Sequence, residues 1–444
     1  MHTCIGMGDE SVRVIVVGGG WAGCAAAVAA RQYGTHVTIC ERTDMLLGTG
    51  LVGGIMRNNG RFTATEEMIA LGGGALFHIA DDNARHTNVS FPGHRHASLY
   101  DIAKTPAAVH RYLEKIGVEI RLQTRITGIK NTNGTIEAVH SGKGAWLEGD
   151  VFVDCTGTAG PMNNCTRYGN GCVMCVLRCP SFGGRVSLSA MAGAEELQAK
   201  QPSGALGAMS GACKLHKDSL SPAIIQQLDA SGVVVVPVPK QLQEDHLDIK
   251  ACQQYALSDY VENLVLLDTG HAKLMTPYCN LTCLRKIAGF ENARFEDPYA
   301  GGHGNSVRLL AMAVRDDVLK VQGTRNLFCA GEKTGPLVGH TEAIVTGTLA
   351  GYNAVRYLRQ SPPLVLPRSL AVGEAVAFAR ELLTPDNQFT GKCTFSGSVL
   401  FERMQKLGLY TTDIGAIQQR VEKAGLTDVF LPQQGYSRAD TCAN

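Results

Sequence analysis

An α/β fold built around a parallel, nucleotide-binding sheet is predicted by three observations. The stretch Val12–Gly23, VRVIVVGGGWAG, runs from β-branched residues into Gly18-x-Gly20-x-x-Gly23. An alanine-rich segment, Cys24–Arg31, follows with the composition of a helix. A second short apolar strand then ends at Glu41, 23 residues after Gly18. Strand, glycine turn, helix, strand and acid in that order make a Rossmann-like unit.

Each part has a physical reason. Gly18 permits the tight turn, Gly20 lets backbone approach a pyrophosphate, and Gly23 lets helix and strand pack without an intervening side chain. Amides at the helix start, around Trp21 and Ala22, bind phosphate. Glu41 stands where an acid accepts a hydrogen bond from the adenosine ribose 2′-hydroxyl, with Arg42 beside it. That preference suits FAD or NAD and disfavours NADP.

Composition narrows the class. The 444 residues suffice for two or three domains. Fifty-one glycines exceed the usual ~7%, but they follow no fixed period, which excludes a collagen-like chain. Forty-one basic and 40 acidic residues leave a net charge of +1, so no strong field draws in a polyanion. Charged residues are only 18%, below the usual quarter, which suits a surface covered in part by a cofactor or a second subunit. No 18-residue apolar run predicts a membrane span. The opening MHTCIGMGDE has neither the basic start nor the apolar centre of a signal peptide, so the expected location is cytoplasmic. Most of the 15 cysteines are then free thiols, metal ligands or redox groups, and Cys24 and Cys40 read as small buried hydrophobes.

Further along, MLLGTGLVGGIMRNNGRF is too glycine-rich for one helix. It reads as a loop over the cofactor, with Gly48, Gly50, Gly53 and Gly54 turning backbone amides toward it. Residues 64–74 and 100–116 read as helices, joined by an Asn/His-rich link around His78–His96. A strand meander follows with a hairpin turn at Asn133-Gly134. Its last strand, Val151–Cys155, leads into a turn containing Gly157 that packs on the nucleotide. In the middle of the chain, 222–230 and 308–319 read as helices, and Val233–Val238 and Leu264–Leu267 as buried strands. The chain then returns to the first unit through a strand at Asn326–Ala330, a turn at Gly331–Gly335 and a small-residue helix from His340. That helix start, with Gly339, Thr341 and Glu342, offers amides and a favourable dipole to negative charge on a flavin. Helices are expected at 371–383 and 414–424. His303, Arg285 and Lys333 are candidates for the flavin's surroundings.

The segment Cys165-x6-Cys172-x2-Cys175-x3-Cys179-Pro180 gathers four cysteines within 15 residues. Cys172 and Cys175 have the spacing of an exchanging dithiol with a lowered thiol pKa. The same run is one cysteine short of a ferredoxin-type iron–sulfur motif, with Cys165, Cys279 or Cys283 as the missing ligand. Zinc is a third use of these ligands. Cys279-x3-Cys283 spans one helical turn and offers a second redox pair.

With these pieces in place, the chain resembles the GidA-like flavoproteins, which include the GidA tRNA-modifying enzymes and the folate-dependent tRNA uracil methyltransferases. The resemblance is carried by VIVVGGGWAGCAAAVAA, by TRNLFCAGEKTGPLVGHTEAIVTGTLAGYNAVR, and by LRKIAGFENARF and RCPSFG. It implies FAD on Gly18, Gly20, Gly23 and Glu41, with the Gly48–Gly54 loop and the Gly331 turn in contact and the His340 helix near the flavin. Glu332 departs from the polar amide that the tRNA enzymes carry after that glycine. The tail also lacks the charge surplus of a tRNA-binding tail. The implied architecture is an FAD-binding domain of glutathione-reductase type from 10–160 and 325–360. An inserted α+β substrate or dimerisation domain would span 161–324, and a helical C-terminal region 361–444. The favoured activity is reduction of a small-molecule or protein disulfide, with Cys172, Cys175, Cys179, Cys279, Cys283 and His340 catalytic and ferredoxin or NAD(P)H as donor. The alternatives are tRNA uridine modification and flavin/iron–sulfur electron transfer. A homodimer is implied by the resemblance.

Overall fold

The computed structural model describes residues 12–142, 144, 146–158, 178–199, 208–210, 213–245, 247, 253–275, 280–296, 306–308, 310–383 and 393–432. Its centre is a five-stranded, wholly parallel sheet. The strands are β1 (Arg13–Val17), β2 (His36–Cys40), β3 (Glu119–Arg121), β4 (Val151–Asp154) and β5 (Leu327–Cys329), in the spatial order β5-β4-β1-β2-β3. Both faces of this sheet are covered, as an all-parallel sheet requires. Val14, Val16, Val37, Ile39 and Val153 point into one core, while Ile15, Val17 and Phe152 point into another.

Helix α1 (Trp21–Arg31) lies on the first face with ten of its eleven residues buried. Helix α3 (His340–Leu358) packs against it, and α2 (Gly60–Ala70) packs in turn against α3. Helix α3 crosses α1 at backbone distance: a side chain at Gly347 would strike the Ala22 carbonyl, and one at Gly351 the Ala26 carbonyl. Two glycines four residues apart on one helix face thus make this crossing available.

The tail belongs to the same core. Helices α4 (Ala371–Glu381), α5 (Ser398–Lys406) and α6 (Ile414–Lys423) contribute Val372, Leu400, Met404 and Val421 to it. Buried Glu67 of α2 accepts from the amides of Ala371 and Val372, both at 3.0 Å, and from Arg420 at 3.1 Å. One carboxylate therefore caps α4 and anchors α6. Phe395, which lies between α4 and α5 in the chain, is fully buried in the same core.

Elsewhere the sheets are antiparallel. Strands Gly128–Thr132, Thr135–His140 and Leu147–Glu148 form a meander, and its first turn has Asn133 and Gly134 both at positive φ, as an Asn-Gly hairpin requires. A four-stranded sheet (Cys213–Leu215, Ala272–Leu274, Asn263–Asp268, Val233–Pro237) packs with the helix Pro222–Ser231 around its own core.

Two expectations change. The link at 78–96 is a helix, Ala75–Asp82, followed by a hairpin of Ala84–Phe91 and His94–Tyr100, so the helix read from residue 100 starts at Thr105. The hairpin's ladder is interrupted by three register shifts, which erase the alternation that marks a strand. Residues 308–319, read as a helix, hold the strand Ala311–Ala313 and the buried Arg315, which donates to the carbonyls of Thr334 and Val376. Among the described residues, no helix is long and apolar enough to cross a membrane.

Replacing Phe395 by alanine empties a fully enclosed ring site, and is expected to cost about 3–5 kcal/mol. Urea unfolding should show a lowered midpoint; an unchanged midpoint would show the tail to be peripheral.

Candidate functional site

A cleft opens at the carboxyl ends of the parallel strands, where ligands bind in open α/β sheets. Of the residues singled out in the sequence, Gly18, Gly20, Trp21, Ala22, Glu41, Arg42, Gly48, Gly157, Gly331, Glu332, Gly339 and His340 line it. They come from four separate stretches of chain that the sheet brings together.

The floor is the glycine turn. The Gly18 amide donates to the Cys40 carbonyl at 2.8 Å, and Gly18 has φ +103°, where a Cβ would collide with the Cys155 carbonyl. Gly23 lies below the cleft, pressed against the Gly18 carbonyl. A Cβ on Gly20 would meet nothing nearer than 4.0 Å, so its backbone is open to a ligand. Glu41 is buried, with Oε2 accepting from the Gly19 amide at 2.7 Å and Oε1 from the Thr43 amide at 2.8 Å. Both bonds hold the carboxylate in place, and each oxygen keeps a second lone pair for a hydroxyl.

Two helices, α1 and α3, begin at this cleft. Each has a glycine N-cap, Gly20 and Gly339, with no side-chain cap. Their first-turn amides are therefore left for a ligand, at the positive end of each dipole. The donor set, the open glycine backbone and the carboxylate fit a dinucleotide with a free ribose diol.

The far wall was not read from the sequence. Thr124, Arg125, Ile126, Arg185 and Val186 line it. Arg42 donates to the Gly183 carbonyl at 2.6 Å and Arg125 to that of Gly184 at 2.8 Å. Arg185 donates to the carbonyl and hydroxyl of Thr158, and that hydroxyl donates to Glu332 at 2.9 Å. Buried Asp154, at the end of β4, accepts from the amide and hydroxyl of Ser189 at 2.8 and 2.7 Å. A short strap is thereby clamped to the sheet so that Arg185 reaches the cleft. The GGR triplet at 183–185 was the available signal, masked by the cysteines before it.

Other candidates lie away from the cleft wall. Gly50 makes room for the Trp21 indole, Gly53 for the His340 ring, and Gly54 packs on Thr269. The Thr341 hydroxyl donates to the Met56 sulfur. Glu342 turns inward, accepting from Arg61 at 3.2 Å, the Thr394 hydroxyl at 2.6 Å and the Phe395 amide at 2.9 Å. Lys333 is buried against Ser187 and Glu196, and Arg285 donates to the Ala293 carbonyl in the four-stranded-sheet region. Cys179 is buried at the start of a one-turn helix, and Cys283 is half-buried in another. Cys165, Cys172, Cys175, Cys279 and His303 lie outside the described residues. Among the described residues, no group of three or more His, Cys, Asp or Glu is placed to hold a metal ion.

The cysteines that do line the cleft are Cys40 and Cys155. Burial pushes Cys40 up to about 12 and Cys155 well above its ordinary value, helped in Cys155 by the neighbouring Asp154. Both are thiols at neutral pH, which is the reverse of a poised nucleophile.

The model of the family described as "Glucose inhibited division protein A" matches residues 13–257 and 269–362. The chain belongs to this family. The GidA-like resemblance drawn from the glycine turn and the final helix is therefore the relationship found. Over 98 residues the chain is 38% identical to "Methylenetetrahydrofolate--tRNA-(uracil-5-)-methyltransferase TrmFO" of Desulfitobacterium hafniense (strain Y51), covering 22% of this chain and 21% of that protein. Over 102 residues it is 34% identical to "tRNA uridine 5-carboxymethylaminomethyl modification enzyme MnmG" of Syntrophotalea carbinolica (strain DSM 2380 / NBRC 103641 / GraBd1), covering 23% and 16%. The matches thus span about a fifth of these relatives' lengths. The solved structure of Aquifex aeolicus GidA (form II crystal) superposes with a TM-score of 0.60 at 15% identity, over 94% of this chain and 76% of that one. This likeness shows a shared fold. The GidA family match ends at residue 362, so the tail that completes the first core lies beyond it.

Two outcomes are expected at this site. Glu41→Gln places an amide NH2 against a backbone N–H and removes a charged acceptor, a loss of about 1.5–3 kcal/mol. FAD or ADP-ribose affinity should fall about 10- to 100-fold by calorimetry, whereas unchanged affinity would place the adenosine elsewhere. The thiols set a pH dependence. Cys40 and Cys329 are raised by burial from 9.0 to about 12, so unfolded thiols ionise first. Their contribution is complete below about pH 9 and is lost as pH rises toward 12. Urea midpoints should fall across that window, and native Cys40 and Cys155 should resist iodoacetamide at about pH 8. Rapid alkylation by mass spectrometry would contradict this.

Proposed function

We propose that this protein is an FAD-dependent enzyme that modifies uridine in tRNA at the C5 position. The observation that carries the reading is one cleft in which the glycine turn, Glu41 and two uncapped helix starts converge, in a chain matched to the GidA family along most of its length. In this reading the cofactor-binding sheet is of glutathione-reductase type, formed by 10–160 and 325–360, with 161–324 inserted and 361–444 the C-terminal region. Glu41 takes the ribose hydroxyl, the α1 amides and Gly20 backbone take the pyrophosphate, and Arg42 and Arg185 supply counter-charge. The α3 start faces the flavin's electron-rich edge. When bound, FAD supplies two-electron redox chemistry.

The C5 position is supported by the names of both relatives, which place their chemistry there. A folate-borne carbon unit is favoured because the methyltransferase shows the higher identity. A reduced pyridine nucleotide or ferredoxin is the reductant, and a homodimer the working assembly. The disulfide-reductase expectation gives way to this reading. The relatives found are named for tRNA chemistry, and the cleft's described cysteines are held as thiols. The balanced charge, which argued against polyanions, describes the whole chain and leaves room for a local groove.

The test is to purify the protein, record its flavin spectrum, and incubate it with unmodified tRNA transcript, methylenetetrahydrofolate and NADH. Nucleoside mass spectrometry should show a one-carbon gain on uridine. Failure to take up flavin after reconstitution, or intact flavin with no modified uridine, would refute the cofactor and the substrate assignments respectively.

A further inference from the structure

The four-stranded sheet has two unlike edges. On one, Cys213–Leu215 is covered by residues 294–296: the Glu296 amide donates to the Lys214 carbonyl at 2.8 Å, and the His216 amide to the Arg294 carbonyl at 3.0 Å. On the other, Val233–Pro237 pairs with Asn263–Asp268, and no further strand lies beside it among the described residues.

The register decides which groups face that open edge. The Gly232 carbonyl accepts from the Asp268 amide at 2.9 Å, and the Val238 amide donates to the Glu262 carbonyl at 2.8 Å. Antiparallel residues alternate between bonded and unbonded pairs, so Val234 and Val236, in the same phase, bond to Leu266 and Leu264. Val233, Val235 and Pro237 then turn their main-chain groups outward, and Val235 is 42% exposed. The Val233 carbonyl lies 2.8 Å from the Ser231 hydroxyl, which also reaches the Gln227 carbonyl at 2.9 Å. The Val233 amide has a longer contact with that hydroxyl, 3.3 Å. Proline has no N–H. The edge therefore offers the amides of Val233 and Val235 as donors and the carbonyls of Val235 and Pro237 as acceptors.

That set is self-complementary. A two-fold axis at Val235 sets its amide against the carbonyl of the partner's Val235. The Val233 amide then meets the carbonyl of the partner's Pro237. The Val233 carbonyl, served by Ser231, falls opposite a proline nitrogen, which needs no partner. Edges that must stay single carry charge, whereas residues 231–239, SGVVVVPVP, carry none. We propose that two copies of this protein join edge to edge through Val233–Pro237, in an isologous antiparallel pairing that continues the sheet across the axis. This interface serves the homodimer of the functional reading and rests on that reading for the dimer alone.

The test uses full-length protein. Sedimentation velocity over a concentration series should show a monomer–dimer equilibrium. Hydrogen exchange read by mass spectrometry should slow in the peptide holding Val233 and Val235 as the dimer fills. Val235→Lys sets like charges against each other at the axis, and Val235→Pro removes the central donor at an edge position that tolerates proline. Each should be monomeric where the wild type is dimeric, with an unchanged circular dichroism spectrum. Should a variant misfold, the wild-type exchange result decides. Dimers that survive both substitutions, or form without slowing exchange there, place the interface elsewhere and overturn the proposal while the homodimer stands. Loss of the dimer in Val235→Lys alone overturns it too, since the side chain and not the strand would be the contact. Species larger than a dimer refute the closed two-fold pairing. A wild type that stays monomeric strikes the proposal and the homodimer together and leaves the flavin and tRNA assignments untouched.

Discussion

Backbone contact between α1 and α3 is the constraint on which the site depends. Gly347 and Gly351 let α3 lie against the Ala22 and Ala26 carbonyls, and this places both helix starts on one cleft. Side chains at either glycine would push the helices apart by the width of a methyl group or more. One set of first-turn amides would then move relative to the other. Residues more than 300 positions apart thereby meet at one cleft, and the tail holds the start of α3 through the Thr394 hydroxyl and Phe395 amide on Glu342.

Local patterns in the chain reported the parts of this fold whose signal is local. The first βαβ unit, the Asn133-Gly134 turn and the His340 helix each carry their information within about 30 residues. The bulged hairpin at 84–100 did not, because three register shifts break its alternation. Arg185 was invisible for another reason. It reaches the cleft on a strap that Asp154 holds through Ser189, a contact between residues 35 positions apart, and no periodicity reports such a clamp. The glycines of 48–54 misled by type: Gly48 faces the cleft as an amide donor would, but Gly50 and Gly53 make room for Trp21 and His340.

Polar groups around the cleft divide into those that face a ligand and those that hold the wall. Glu342 and Lys333 are charged and close to the site in sequence, yet each is paired inside the protein, Glu342 through Oε1 with Arg61 and Lys333 with Glu196. Buried pairs of this kind are costly to break, since one charge is left without a partner. They fix geometry and leave charge compensation to the arginines on the opposite wall.

The place of β5 has a kinetic meaning. Strands β1 and β4 are made early, but β5 comes more than 170 residues after β4 and the tail later still. The edge of β4 therefore has no parallel partner until residue 329 has been synthesised. The four-stranded sheet, by contrast, draws its core from residues 213–295 alone. Long-range parallel pairing is slow because loop closure precedes any gain. In chain order the lining of the cleft is complete only once residues 330–343 have emerged, after the whole of the four-stranded sheet.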